Sequence, residues 1–269
     1  MKLSLKGLLA ITAAASALIL SGCGEKSADV NSVKVGVIAG AEAQVAEVAA
    51  KIAKEKYNLN VELVTFTDYV TPNAALDDGS IDANAFQHKP YLEKQMADRG
   101  YKLAIVGNTF VYPIAGYSKE IKSVDEIKQG ARIALPNDPT NLGRSLLLLE
   151  QQGLITLREN VGLLATVRDI TENPNDLRIM ELDAAQLPRS LDDVTLAIIN
   201  TTYASSINLT PEKDGIFVED KESPYVNLLV ARQDNINAEN VQNFLKAYQT
   251  DEVAEAASTI FHGGSVKGW

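Results

Sequence analysis

Arg144 stands three residues after Asn141 in the segment Pro136–Ser145 (PNDPTNLGRS), and residues three apart share one face of a helix. The segment follows an apolar run and opens a helical pattern, with Asp138 as a natural N-cap and Pro139 as a natural first-turn residue. Free backbone N–H groups at a helix start favour an anion, and the planar guanidinium fork suits a carboxylate. Leu146–Leu149 behind it are all apolar, so the helix docks deeply and its first turn is held rigidly. Two readings stand: a carboxylate-binding corner, or a capped helix with Arg144 in a surface ion pair.

A second group lies in Asp82–Tyr91 (DANAFQHKPY). Phe86 and His88 alternate in an extended stretch and so share a face, Tyr91 follows just inside the next helix, and Tyr69 comes from another loop. An aromatic wall with one histidine suits an apolar ligand with a polar end; a core phenylalanine with half-exposed neighbours fits the same pattern. Asn200 ends an apolar strand before a Thr-Thr turn, and Asn227 interrupts the apolar run YVNLLV. A buried amide needs a partner, either backbone or ligand.

Other chemistries find little support. The single cysteine, Cys23, excludes an internal disulfide and a Cys-rich zinc site, and two histidines do not make a multi-histidine metal centre. No G-x-S-x-G elbow or nucleophile–base pair is present. The glycine-rich end Gly263–Gly268 has no helix after it to complete a phosphate loop. With 25 Lys+Arg against 35 Asp+Glu and a net charge of −10, the chain repels a phosphate backbone, so no nucleic-acid partner is expected. Neither a cofactor nor a metal is expected. An enzyme with His88 as general base and a structural surface lipoprotein remain the rival readings to a binding protein.

The elements that must position these residues alternate between strand and helix. Strands are expected at Val33–Ile38, Val61–Phe66, Lys102–Val106, Arg132–Leu135, Leu177–Leu182 and Val194–Ile199. Helices are expected at Glu42–Tyr57 with Val45, Val48, Ala49 and Ile52 on one face, at Pro90–Arg99 before Gly100, and at Pro139–Gln152 before Gly153. Two more follow at Ala238–Tyr248, capped by Asn237, and Asp251–Ile260, and Ser123–Glu126 reads as a capping box opening a short helix. This alternation implies α/β architecture with largely parallel sheets. Two extended segments stand apart, Thr109–Tyr117 and Tyr225–Arg232. They read as two crossings between lobes, or as ordinary members of one sheet. The 269 residues and 46% hydrophobic content allow one large domain or two modest ones.

The first 22 residues read as a signal segment. Lys2 and Lys6 precede an apolar run over 7–20, too short to span a bilayer, which ends in Leu20-Ser21-Gly22-Cys23. That ending resembles a bacterial lipobox, in which Cys23 becomes the lipid-bearing first residue and 23–32 a tether. Removing 1–22 takes away two lysines and no acids, so the net charge moves from −10 to −12.

The stretches VKVGVIAGAEAQVAEVA, IDANAFQHKPYL, GNTFVYPIAGYSKEIKS, LPNDPTNLGRSLLLL, INTTYA and DGIFVEDKESPYVNLLV resemble the NlpA family of methionine-binding lipoproteins over nearly the whole chain after Cys23. The resemblance implies a two-lobed periplasmic binding protein fold: α/β lobes over 33–110 plus 227–269 and over 111–226, joined by a two-strand hinge, with the C-terminal helix left unplaced. It implies a non-enzymatic receptor on the periplasmic side of the cell envelope. The receptor would be membrane-anchored through lipid such as palmitate on Cys23, and would pass its ligand to the permease and ATPase of an ABC importer. The implied ligand is methionine, in the L form, the D form or a methionine-containing dipeptide. Arg144 would then meet the carboxylate with Asn141 beside it, Asn200 and Asn227 would hold the polar end, and Tyr69, Phe86, His88 and Tyr91 would enclose the side chain.

Wild-type protein is expected to take up labelled palmitate, while Cys23→Ala gives a soluble or uncleaved form. An unlabelled wild type would sink the lipidation reading.

Overall fold

The computed structural model describes residues 30–220 and 224–269. The expected signal segment and Cys23 lie outside the described residues; Ser32, placed at the end of the tether, already begins a strand. The strands are β1 (Ser32–Ile38), β2 (Asn60–Phe66), β3 (Ala83–His88), β4 (Leu103–Val111), β5 (Ala115–Tyr117), β6 (Arg132–Pro136), β7 (Thr156–Leu157), β8 (Ile170–Glu172), β9 (Arg178–Leu182), β10 (Leu196–Ile199), β11 (Phe217–Val218), β12 (Val226–Arg232) and β13 (Val266–Lys267). The helices are α1 (Ala41–Tyr57), α2 (Thr71–Asp77), α3 (Lys89–Arg99), α4 (Pro139–Gln151), α5 (Leu187–Ser190), α6 (Thr201–Ser205), α7 (Pro211–Asp214), α8 (Glu239–Tyr248) and α9 (Asp251–Ile260).

Two sheets organise them. One has the order β13-β4-β12-β3-β1-β2, the other β11-β5-β10-β6-β9, and β7 and β8 form a separate ribbon. The fold is thus α/β, as expected, but the sheets are mixed rather than largely parallel. The pairs β1–β2, β1–β3, β6–β9 and β6–β10 are parallel; β12 pairs antiparallel with both β3 and β4, and β5 with both β10 and β11. The cause is chain direction. The chain leaves the first sheet after β4 and comes back as β12, which enters between β3 and β4 already running the other way.

The expected extended segment at 109–117 is divided between the sheets. β4 runs on to Val111, the backbone breaks at Tyr112–Ile114, and β5 belongs to the second sheet. Pro113 has no N–H to donate to a ladder, and its carbonyl is instead taken by the Thr201 hydroxyl. The return crossing runs from β11 to β12.

The first sheet is covered on one side by α1, α8 and α9. Val45, Ala46, Ala49 and Ile52 of α1 meet Val241, Phe244 and Ala247 of α8 and Val253 and Ala257 of α9 in one core. A second core packs α4 onto the second sheet through Leu142, Leu146, Leu148 and Leu149. A third joins the two halves, placing Ile38, Phe86 and Tyr91 against Ala115, Tyr117, Ala197 and Ile199.

Asp138 caps α4 by accepting from the Asn141 N–H, and Gly100 and Gly153 follow α3 and α4 with φ of 75° and 69°. Two caps fail. Ser123 makes no capping hydrogen bond and is followed by only one 3-10 turn, and Ala238, not Asn237, precedes α8. Gly143 answers to tertiary contact: a Cβ there would sit 2.2 Å from the Leu163 carbonyl oxygen, where 162–164 crosses α4. Because backbone cannot yield as a side chain end can, Gly143→Ala is expected to destabilise the fold by about 1–3 kcal/mol in urea unfolding. An unchanged midpoint would mean the crossing segment is free to move aside.

Candidate functional site

The C-terminal ends of β3, β6 and β10 point into the space between the sheets, where open α/β sheets bind ligands. β3 delivers Phe86, Gln87 and His88; α3 starts on His88 and adds Tyr91; the loop after β2 adds Tyr69. From the other side, α4 supplies Asn141 and Arg144, and the turn after β10 supplies Asn200, Thr201 and Thr202. Tyr112 and Asn227 come from the two crossings. All eight ligand-site residues expected from sequence line this one cavity, together with Gln87, Tyr112, Thr201 and Thr202.

Strict alternation would turn Gln87 away from the face shared by Phe86 and His88. A β-bulge interrupts the alternation: Leu228 pairs with Gln87 and Leu229 with Ala85, so Phe86 is the extra residue. The Phe86 carbonyl, freed from the ladder, accepts from Asn227 Nδ2 at 3.1 Å. The interrupting amide in β12 is therefore held by backbone. Gln87 joins Asn73 and Asn84 in a buried amide cluster with contacts of 2.6–3.0 Å, which sequence reading did not single out.

His88 is fixed in one tautomer. Its Nδ1 accepts the Tyr91 N–H at 3.2 Å, so Nε2 carries the hydrogen and donates to Asn141 Oδ1 at 3.2 Å. Burial, assisted by the nearby Arg144 charge, pulls its pKa down to about 3. The imidazole is neutral with no basic nitrogen free, which removes the general-base reading. Asn141 is the hub of the polar side: Oδ1 also accepts from Asn200 Nδ2 at 3.0 Å, while Nδ2 donates to Asp138 Oδ2 at 2.9 Å. Asn200 occupies the cap position of α6 without capping it. The Thr-Thr pair after it is helical rather than a turn. Asn200 Oδ1 is buried and has no partner among the described residues.

Arg144 is neither a surface ion pair nor an open fork. It is 3% exposed. Nε donates to Glu219 Oε1 at 2.8 Å, Nη2 to Glu219 Oε2 and to the Tyr112 carbonyl at 3.1 Å, and the guanidinium carbon lies 4.3 Å from the Tyr225 ring centre. Nη1 makes no hydrogen bond among the described residues. The helix start beside it is filled by the Asp138 carboxylate, which accepts from Thr140 Oγ1 and from both Asn141 nitrogens. Arg144, not the free N–H groups, is therefore the anion donor this corner offers. No local signal links Glu219 to a helix 75 residues earlier.

Aromatic rings complete the enclosure. Tyr69 lies 5.8 Å from Phe86, 6.2 Å from Tyr91 and 4.9 Å from Tyr203, and His88 lies 5.0 Å from Tyr225. Tyr91 Oη donates to the Tyr69 carbonyl at 2.8 Å. Burial holds the Tyr69 and Tyr91 hydroxyls well above the usual phenol range.

These features define a two-lobed α/β substrate-binding protein of the periplasmic type. The NlpA lipoprotein family model matches residues 33–269, and the chain belongs to that family. It is 84% identical over its full length, and that of its relative, to a protein of Vibrio cholerae named "Probable D-methionine-binding lipoprotein MetQ". Among solved structures it is similar to a nutrient-binding protein from Burkholderia cenocepacia bound to methionine, at 50% identity and TM-score 0.86 over 88% of this chain and all of the other. It is also similar to a periplasmic substrate-binding protein of an ABC transporter from Coxiella burnetii, at 48% identity and TM-score 0.85 over the same shares.

Beside the cavity, Glu42 at the start of α1 accepts from Thr202 Oγ1 at 2.6 Å, across the two halves. Burial pushes its pKa up to about 8, against the hydrogen bonds from Thr202 and Ile38. Between its ordinary 4.5 and about 8 the folded state therefore holds a proton that the unfolded chain has released, and stability falls as pH rises. His88 acts oppositely between about 3 and its ordinary 6.5, where the unfolded chain binds the extra proton. Urea unfolding from pH 5 to 8 is expected to show wild type losing up to about 1.4 kcal/mol per pH unit relative to Glu42→Gln. Parallel profiles would place Glu42 in contact with solvent.

Proposed function

We propose that this protein captures methionine between its two lobes and hands it to the membrane permease and ATPase of an ABC importer, while anchored through lipid on Cys23 at the periplasmic side of the cell envelope. One observation carries the reading. One cavity is lined by a buried guanidinium with a donor to spare, an unpartnered amide oxygen and a wall of aromatic rings. A zwitterion with an apolar tail carries one group for each. The carboxylate takes Arg144 through Nη1, the ammonium takes Asn200 Oδ1, and the thioether packs among Tyr69, Phe86 and Tyr91, since sulfur is polarizable and favours ring contacts. Asn141 and His88 spend their hydrogen bonds on each other, on Asp138, Asn200 and backbone, and the Asn227 amide donates to the Phe86 carbonyl, so in this reading they position the site more than they grip the ligand.

The relatives support the ligand. The Vibrio cholerae protein is named for D-methionine and the Burkholderia protein holds methionine. The Coxiella protein carries the transporter context. The lobes in this reading comprise 33–110 plus 227–269 and 111–226, hinged at Tyr112–Ile114 and the return crossing. Closure about them would bury the ligand, and the permease would recognise the closed form.

Calorimetric titration of Arg144→Ala with each methionine enantiomer and with methionine amide tests the assignment. Loss of the charged partner is expected to cost methionine about 2–5 kcal/mol and the amide far less. The apo protein is expected to lose stability as well, because Glu219 is left buried without its cation. Equal losses for both ligands would remove Arg144 from ligand contact.

A further inference from the structure

Glu219 lies at the meeting point of the two crossings. Its backbone N–H donates to the Ile114 carbonyl at 2.9 Å, tying the return crossing to the outgoing one. Its side chain, 10% exposed, takes two donors of Arg144. The guanidinium is thus held by groups of both crossings, Tyr112 from one and Glu219 and Tyr225 from the other. His88 has one nitrogen accepting and one donating and carries no charge, and burial keeps the hydroxyls of Tyr69, Tyr91 and Tyr112 protonated. Asp138 keeps its charge, but it accepts from three donors of α4 and is half-buried, so solvent screens it in a way that it does not screen Arg144 and Glu219. At the anion-binding end of the cavity, the charge of Arg144 is balanced before any ligand arrives.

We propose that Glu219 is a specificity-determining residue: by balancing Arg144 it keeps the pocket electrically neutral and selects ligands that carry an ammonium as well as a carboxylate. The inference rests on the methionine reading above and adds to it the reason a zwitterion is preferred over a simple acid. In a water-poor site net charge is expensive. A zwitterion adds none. A carboxylic acid of the same shape adds one uncompensated negative charge and also leaves Asn200 Oδ1 without a donor. Converting Glu219 to a neutral amide reverses the balance: the pocket becomes cationic, so the anion restores neutrality and the zwitterion does not.

Calorimetric titration with methionine and with its deaminated analogue, methylthiobutanoate, provides the test on wild type, Glu219→Gln and Glu219→Asp. In Glu219→Gln the preference for methionine over the analogue is expected to shrink by about tenfold or more. Glu219→Asp, which keeps the charge on a shorter arm, is expected to retain the wild-type preference even where both affinities fall. An unchanged preference in Glu219→Gln, with both ligands weakened alike, would reduce Glu219 to a structural support of Arg144 and overturn the proposal. If Glu219→Gln does not fold, the aspartate variant decides: a retained preference supports the charge argument, and a narrowed one overturns it. Wild type that binds neither ligand would overturn the methionine reading itself, whereas wild type that binds methionine leaves the variants to judge Glu219 alone.

Discussion

Arg144 is 3% exposed, and a guanidinium taken out of water without an anion costs several kcal/mol. The chain meets that requirement with a carboxylate 75 residues away, and much of the architecture follows. To bring Glu219 to α4, β11 must end beside β5, where the Glu219 N–H reaches the Ile114 carbonyl. Tyr112 then lies within reach of Nη2, and Tyr225 lies under the guanidinium. The polar end of the cavity and the two connections between sheets are therefore one assembly. A change at either crossing is felt by the charged group, and a change at the charged group by both crossings.

The rest of the polar wall is ordered by valence. Asn141 Oδ1 has two lone pairs, and His88 and Asn200 take them. That leaves His88 one tautomer and the Asn200 oxygen without a partner among the described residues. Side chains already fixed in this way lose little freedom when a ligand arrives, which is how a modest contact area reaches useful affinity. Asn73, Asn84 and Gln87 are fixed in the same way, each bonded to the others in one buried cluster at β3.

Much of this was legible in the sequence. β1, α1, α4 and α9 fall within a residue or two of their expected bounds because their apolar spacing and end residues agree. The eight expected ligand-site residues meet because three of the peptides that carry them end parallel strands. What was hidden depends on pairing across distance. Nothing near Glu219 names its partner, and nothing in NAFQH announces that one residue will be squeezed out of the ladder. The direction of β12 is set by where the chain returns, which no local period encodes. The Ser123 box looked complete, yet its hydroxyl makes no capping bond.

The position of β12 has a consequence for the order in which the molecule can be made. It is the strand that joins β3 to β4, yet it begins at Val226, well over a hundred residues after β3 ends. Until it arrives, the first sheet is split into β1–β2–β3 and an unsupported β4. A chain emerging from its N-terminus therefore cannot complete that sheet until nearly all of it is available, and pairings this distant form slowly. Until then the facing edges of β3 and β4 stay open, and unpaired strand edges are the places where another chain can add.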